Sequence, residues 1–428
     1  MKSQMQNIMT KILERGADKV SLRYTASNNE EFNIIYKRLS FLRSVESGSL
    51  NIGIISDQRS ANTRLNQFDD ASIDTAIDTL FANLESASPD PAYDISPSQE
   101  PRSWDRRKHE PEIDIVVSRL NEFIESMQRE FPQVEYDARL THLLYRDIYM
   151  NSNGVILDDT TAGYSFVVIV TAKEGSKCSS MNYTSFLVQD LNLPILETLD
   201  TREKIQQVCE QIFTKPVPEN FVGSVIFSWG ETAWVVEEMI DTQLGDSPFL
   251  TKICRFTEHL GKKIADPKLS VYSRPDESMF CFVPHITADG FISKDASIIE
   301  KGILMDFPIS LFTSRKCERE RTMGPISNLY IEPGDTPLAD MISSTKRGIY
   351  LVRCSGDSPN DNGDFSGVAK NSYYIEDGKI QYPISETMIS GNLLDMLNNI
   401  EAISKEQLNS GTMASPYIKV SGVNISRK

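Results

Sequence analysis

From the amino terminus, Met5, Ile8, Met9, Ile12 and Leu13 recur at the spacing of one helical face, and Gly16 supplies a stop. Strand patterning follows at once. VSLRYT (20–25) alternates apolar and polar residues, NIIYKRLSFLRSVE (33–46) is long enough to make a bent strand, and LNIGIIS (50–56) and QRSANTRL (58–65) read as shorter ones. A second helix beginning near Asp69 or Asp70 lines up Ile73, Ala76, Ile77, Leu80, Phe81 and Leu84. Next come Pro89, Pro91, Pro97 and Pro101, which forbid helix or central strand and mark a linker.

Past the linker the pattern returns. A helix carrying Ile113, Val116, Val117, Leu120, Phe123, Ile124 and Met127 precedes strands at VEYDARL, LLYRDIYM and GVILDDT, with NSNG (151–154) as a hairpin turn. YSFVVIVTAK and TSFLVQD add strands, and a helix over 201–214 carries Ile205, Val208, Cys209 and Ile212. Helix, strands, helix thus runs twice before residue 215, as a diverged internal duplication would. KPVPENF (215–221) is a second joint. Beyond it lie the strand GSVIFS (223–228), a helix over 231–244, the strand-like pieces KLSVYS, MFCFVP, ADG, IIEKGILMDF, GIYLVRCS and NSYYIEDGKIQYPI, a helix over 392–404, and the closing strand YIKVSGVNI. The expected fold is α+β: a helix-strand block over 1–88, a Pro-rich linker over 89–110, a second block over 111–214, and a β-rich, barrel- or sandwich-like domain over 215–428.

A formal charge of -16 argues against direct nucleic-acid binding, which depends on Lys and Arg facing phosphates. The best basic run, Arg102, Arg106, Arg107 and Lys108, sits among Asp105, Glu110 and Glu112 and reads as a solvated linker. No apolar run approaches the roughly 20 residues of a membrane span, and the opening MKSQMQNIMTKILERG lacks a signal-peptide apolar block, so a cytoplasmic protein is expected. The dispersed cysteines, Cys178, Cys209, Cys254, Cys281, Cys317 and Cys354, then read as reduced thiols.

Candidate chemistry is sparse. His109, His142, His259 and His285 are too far apart for two imidazoles on one helical turn. Cys254 with His259 and Cys281 with His285 could be gathered into a four-ligand zinc site, although the first spacing diverges on a helix and Pro284 interrupts the second; buried thiols and hydrogen-bonded histidines are the plainer reading. Asp69 with Asp70, Asp158 with Asp159 and Glu237 with Glu238 are cation candidates or solvated turns and helix faces. Ser366 in GDFSGVAK (363–370) lacks the glycines of a G-x-S-x-G elbow, and no phosphate loop is present.

The series EKGILMDF (300–307), NLYIEPGDTPLADMISSTKRGIYL (328–351), GDFSGVAKNSYYIEDGKIQYPI (363–384), SGNLLDMLNNIEAI (390–403) and SPYIKVSGVNI (415–425) resembles the TldD/PmbA family, also called modulator of DNA gyrase. The resemblance extends more loosely upstream, over nearly the whole chain. It implies a peptidase of two related subunits that degrades unfolded or flexible peptides. One subunit type holds zinc on an H-E-x-x-x-H helix assisted by a cysteine near the C-terminus; the PmbA type, also called TldE, lacks the metal. The helix after GSVIFS here reads SWGETAWVVEEM, so Glu231 stands where the motif's glutamate would, while Gly230 and Val235 occupy the histidine positions; SGTMASP (410–416) has no cysteine. The chain therefore resembles the non-metal, non-catalytic subunit, with no cofactor of its own and zinc expected in an H-E-x-x-x-H-bearing partner. A stand-alone homodimeric peptide-binding or scaffold protein, or an active metallopeptidase using the Cys/His constellation, are the other readings. Gly363, Asp364, Phe365, Ser366 and Gly367 are candidates to line the peptide path, with Gly363 and Gly367 allowing a tight turn and Asp364 and Ser366 bonding local amides. Strand edges in the β-rich half would pair with an extended peptide backbone.

Overall fold

The apolar stripe of the first helix, α1 (Lys2–Glu14), closes over a sheet whose first members are β1 (Lys19–Ile35), β2 (Arg38–Ser56) and β3 (Arg59–Leu65). The second helix, α2 (Asp70–Ser86), begins where Asp69 accepts a hydrogen bond from the Ser72 amide (3.0 Å), an N-cap that fixes its register. The computed structural model describes residues 1–105 and 109–427; Arg106, Arg107 and Lys108 of the basic run lie outside the described residues. Within the Pro-rich segment, β4 (Arg102–Asp105) runs parallel to the sheet, and Ser96 and Trp104 are buried. Trp104 and Ser96 anchor this part of the linker on the fold, while Arg102, Ser103 and Asp105 stay exposed.

The second block supplies α3 (Ile113–Glu130), β5 (Val134–Asn151), β6 (Ile156–Glu174), the short β7 (Lys177–Cys178), β8 (Asn182–Val188) and α4 (Thr201–Glu210). In the NSNG turn Asn151 Oδ1 accepts from the amides of Asn153 (3.0 Å) and Val155 (3.2 Å), closing the β5–β6 hairpin. The sheet runs β3-β2-β1-β5-β6, and β6 carries both β4 and β8 on its far side. The two blocks meet through their first strands, β1 antiparallel to β5 from Ser21/Asn151 to Ile34/Ala138. The order β3-β2-β1-β5-β6-β8 therefore reads alike from either end, the topology a duplication produces. Helices α1 and α2 enclose one apolar cluster and α3 and α4 another.

The second sheet comprises β9 (Phe221–Phe227), β10 (Val271–Ser273), β11 (Ala296–Glu300), β12 (Ile303–Leu304), β13 (Leu329–Ile331), β14 (Arg347–Leu351), β15 (Arg353–Gly356), β16 (Asp364–Lys370), β17 (Tyr373–Glu376), β18 (Lys379–Pro383), β19 (Thr387–Asn392), β20 (Ile400–Asn409) and β21 (Ala414–Arg427). It is mixed and branched: β21 pairs with β9, β13, β19 and β20, while β9 is also parallel to β14. The helix between them that matters here, α5 (Trp229–Gln243), lies on this sheet and buries Val235, Val236, Met239 and Ile240 in the largest apolar cluster. The α+β class expected from the patterning is the one observed.

Several segments differ from their patterning: ADG (288–290) is a turn, VEYDARL and LLYRDIYM merge into β5, GVILDDT and YSFVVIVTAK merge into β6, the helix expected over 201–214 ends at Glu210, and three further segments depart more widely. The expected bent strand over 33–46 is a hairpin turning at Tyr36 and Lys37, both left-handed (φ 51° and 61°) without the Asn or Gly that usually signals such a turn. MFCFVP forms no strand; Phe280, Cys281 and Val283 are buried from a loop. The helix over 392–404 stops after Leu393–Asn398, where Asn398 and Asn399 turn their side chains back onto the carbonyls of Leu394 and Asp395, and Ile400 onward pairs with β21. There sheet pairing overrides the helical spacing.

Candidate functional site

Helix α5 starts where β9 ends, and its cap residue spends its hydroxyl elsewhere: Ser228 Oγ donates to the Val352 carbonyl (3.0 Å), and the first-turn amides receive no side-chain cap. Trp229 in that turn donates through Nε1 to Asp200 Oδ2 (2.7 Å), and the buried Asp200 also accepts from Thr184 Oγ1 on β8 (3.2 Å). One buried carboxylate thus ties the start of α5 to the first sheet. Between β8, the first turn of α5 and β15 lies a cleft of about 440 Å³, with Tyr183, Trp229 and Trp234 as its aromatic surfaces.

Glu231 lies on this cleft. Burial pushes its carboxyl up to about 7, against a backbone hydrogen bond from Cys354 and the more distant charges of Lys204 and Arg353, which pull it back. Beside it, burial and the Glu231 charge push the Cys354 thiol up to about 12, so Cys354 is a protonated thiol here and no thiolate nucleophile. Lys204 Nζ stands 3.8 Å from Asp200 Oδ2, and the Arg353 guanidinium lies over the Tyr183 ring at 4.2 Å.

The structure puts Gly230, Glu231 and Val235 on one helix, as the motif frame requires, but only one of the three offers a donor. A Cβ at Gly230 would meet open space, and Val235 is 5% exposed in the apolar core. These residues do not fit a zinc ion: one carboxylate in that frame falls short of the three or four ligands zinc takes. Thr412 and Met413 of the SGTMASP segment lie alongside α5, lining with Trp234 a second cavity of about 450 Å³ whose acidic wall is Glu237, Glu238 and Asp241. Burial raises the carboxyls of Glu237 and Asp241 there, and Glu238 accepts from Ser358 Oγ (3.0 Å).

GDFSGVAK is a strand rather than a local turn. Gly363 alone takes a left-handed conformation (φ 85°); from Asp364 the chain pairs with β19, Ser366 opposite Ser390. Asp364 accepts from the side-chain amide of the distant Asn392 (2.9 Å) and, more weakly, from that of Asn360 four residues before it (3.4 Å). Asp364 and Phe365 edge a separate cavity of about 410 Å³, and Ser366 is exposed. Gly367 lies behind the first cleft, where a Cβ would come within 2.4 Å of Cys354 Sγ.

The Cys/His constellation is not assembled. His285 Nδ1 is 3.0 Å from Asp159 Oδ2, its Nε2 2.8 Å from Glu277 Oε1, and its ring stacks on Trp104. Cys254 Sγ donates to the Gln243 carbonyl (3.2 Å), and His259 packs edge-on against Phe256. Among the described residues no three His, Cys, Asp or Glu side chains stand where a metal ion could be held. The acidic pairs are likewise engaged: Asp69 caps α2, and Asp158 pairs with Arg146 (2.9 Å) and Lys2. No helix among the described residues is long and apolar enough to cross a membrane.

The cleft residues Asn182, Tyr183, Lys204 and Arg353 carried no sequence signal, because they come from β8, α4 and β15, which only the contact between the two sheets brings together.

Helix α5 lies against the mixed sheet, and Glu231 on it stands in the frame of the motif that the resemblance implies. The family described as "PmbA/TldA metallopeptidase C-terminal domain" matches residues 222–427. The "Metalloprotease PmbA homolog" of Haemophilus influenzae is 23% identical over 90% of this chain and 89% of its own, and the "Zinc metalloprotease TldD homolog" of Saccharolobus solfataricus is 30% identical over 34% of this chain and 36% of its own. The fold is that of TldE from Thermococcus kodakarensis (TM-score 0.85, 19% identity, covering 99% of this chain and 100% of that one). A putative modulator of DNA gyrase from Bacteroides thetaiotaomicron shares it too (TM-score 0.89, 19% identity, 100% and 99%). Residues 222–427 match the family's C-terminal domain, and the chain as a whole resembles the TldD/PmbA family in sequence and fold.

Proposed function

We propose that this chain is the non-metal subunit of a TldD/PmbA-type peptidase. A related chain bearing H-E-x-x-x-H and its zinc would hold the hydrolytic water, and the present chain would complete the walls that admit an extended, unfolded peptide. The observation that carries this reading is α5, which keeps the frame of the motif at the edge of a 440 Å³ cleft while Gly230 and Val235 supply no ligand. Low sequence selectivity would follow from backbone pairing along strand edges near the cleft and along Gly363–Gly367. The reading places the complex in the cytoplasm, with no direct contact to nucleic acid or membrane, in keeping with the charge of -16.

The test is co-purification from native lysate followed by an assay on an unfolded protein substrate. Recovery of a related H-E-x-x-x-H chain, with zinc-dependent hydrolysis by the pair and none by this chain alone, is the expected result. A clean homodimer without such a partner would overturn it.

A further inference from the structure

The cleft at the start of α5 gathers donors that have no acceptor. Asn182 is 2% exposed, and its orientation is fixed because Oδ1 accepts from the Tyr183 amide at 2.9 Å. That leaves Nδ2 without a partner, buried in the wall of the cleft that Asn182 helps to form. An unsatisfied buried donor is destabilising, and a ligand acceptor would recover that loss. Arg353 makes no ion pair within 4 Å among the described residues; its guanidinium lies over the face of Tyr183 and acts on Glu231 only at longer range, which leaves the guanidinium edge available. Lys204 adds a second cation, only loosely held by Asp200 at 3.8 Å. The uncapped first turn of α5 presents the positive end of a fifteen-residue helix on the same side.

We propose that this cleft binds a carboxylate, with Arg353 and Asn182 Nδ2 as its principal donors and Lys204 as a supporting charge. The inference rests on the peptide-binding reading above and specifies what the peptide presents: its own C-terminal carboxylate, or an acidic side chain. Glu231 on the cleft wall favours a singly charged ligand over phosphate: its carboxyl, raised by burial to about 7, can donate to a carboxylate oxygen while protonated, and once ionised it would repel a dianion about twice as strongly as a monoanion. The flanking Tyr183, Trp229 and Trp234 provide apolar surface for the residues that precede the charge.

Trp229 and Trp234 are two of the three tryptophans, so their fluorescence reports the cleft directly. The purified chain is titrated with N-acetyl-trialanine as the free acid, with its C-terminal amide, and with the amide of N-acetyl-Ala-Glu-Ala. A charge-assisted contact of about 1.5–3 kcal/mol predicts that a carboxylate-bearing peptide binds at least about tenfold tighter than trialanine amide. Preference for the free acid over the Glu peptide identifies the chain terminus as the source, and the reverse identifies the side chain. The preference should shrink as pH rises from 6 to 8, vanish in Arg353→Ala and return in part in Arg353→Lys. Equal binding of acid and amide, an unchanged preference in Arg353→Ala, or displacement of the acid by inorganic phosphate at lower concentration than by acetate would overturn the carboxylate site while leaving peptide binding in place. Failure of all three peptides to bind would overturn the peptide-binding reading as well.

Discussion

Replacing Glu231 by Gln isolates the charge at the head of α5. In the fold its carboxyl titrates near 7, while in the unfolded chain it titrates at its ordinary 4.5, so the folded state holds a proton that the unfolded state releases between those values. The sign follows: stability is lost as pH rises from about 4.5 through 7, the reverse of a salt-bridged carboxylate. Relative to a permanently neutral side chain, the wild-type carboxyl costs about 0.8 kcal/mol at pH 5 and about 3.3 kcal/mol at pH 8. Glu231→Gln should therefore gain about 2.5 kcal/mol on the wild type between those two pH values. Differences in hydrogen bonding between amide and carboxylic acid are present at both and cancel. Parallel denaturant titrations of the two proteins, followed by a probe of the region around α5, measure that divergence. Wild type and variant running parallel from pH 5 to 8 would refute the reasoning, and would mean that water or Arg353 screens the carboxylate well enough to keep it ionised.

Val235→His should cost about 2–3 kcal/mol, because an imidazole would enter the apolar core, whereas Gly230→His, facing open space, should change thermal stability by less than about 1 kcal/mol. Gly367→Ala places a methyl 2.4 Å from Cys354 Sγ and should cost about 1–3 kcal/mol; Cys354→Ala should relieve much of that, a coupling a double-mutant cycle reads directly. Ser366→Ala, exposed on β16, should leave stability within about 0.5 kcal/mol and, under the proposed function, the peptidase activity of the pair intact. Arg23→Met should cost about 3–5 kcal/mol in a melt, since it strands the buried Asp147, which Arg23 Nε reaches at 2.9 Å, and removes donors to the Ile286 and Thr287 carbonyls.

Much of the fold was legible because its signals are local. The stripe Met5–Ile12, the Asp69 cap and the NSNG turn each act over a few residues, and each element forms where its pattern lies. Elements decided by distant partners were not legible in the same way. Ile400–Asn409 has helical spacing but is claimed by β21, and the Tyr36–Lys37 turn is imposed by the twist of two long strands rather than by turn residues. The candidate site divides along the same line. Gly230, Glu231 and Val235 follow from one motif on one helix, while Asn182, Lys204 and Arg353 become neighbours only when the two sheets pack. In GDFSGVAK the glycines suggested a turn, but Gly367 is small because β15 passes so close behind it.

The burial of Val235 has an evolutionary side. A histidine at that position would hold an imidazole where packing favours a branched aliphatic chain, a loss of stability tolerated only for the chemistry it enables. Where, as proposed, a partner carries that chemistry, selection on the position would revert to packing alone, and the helix would escape the compromise between stability and activity that constrains catalytic scaffolds.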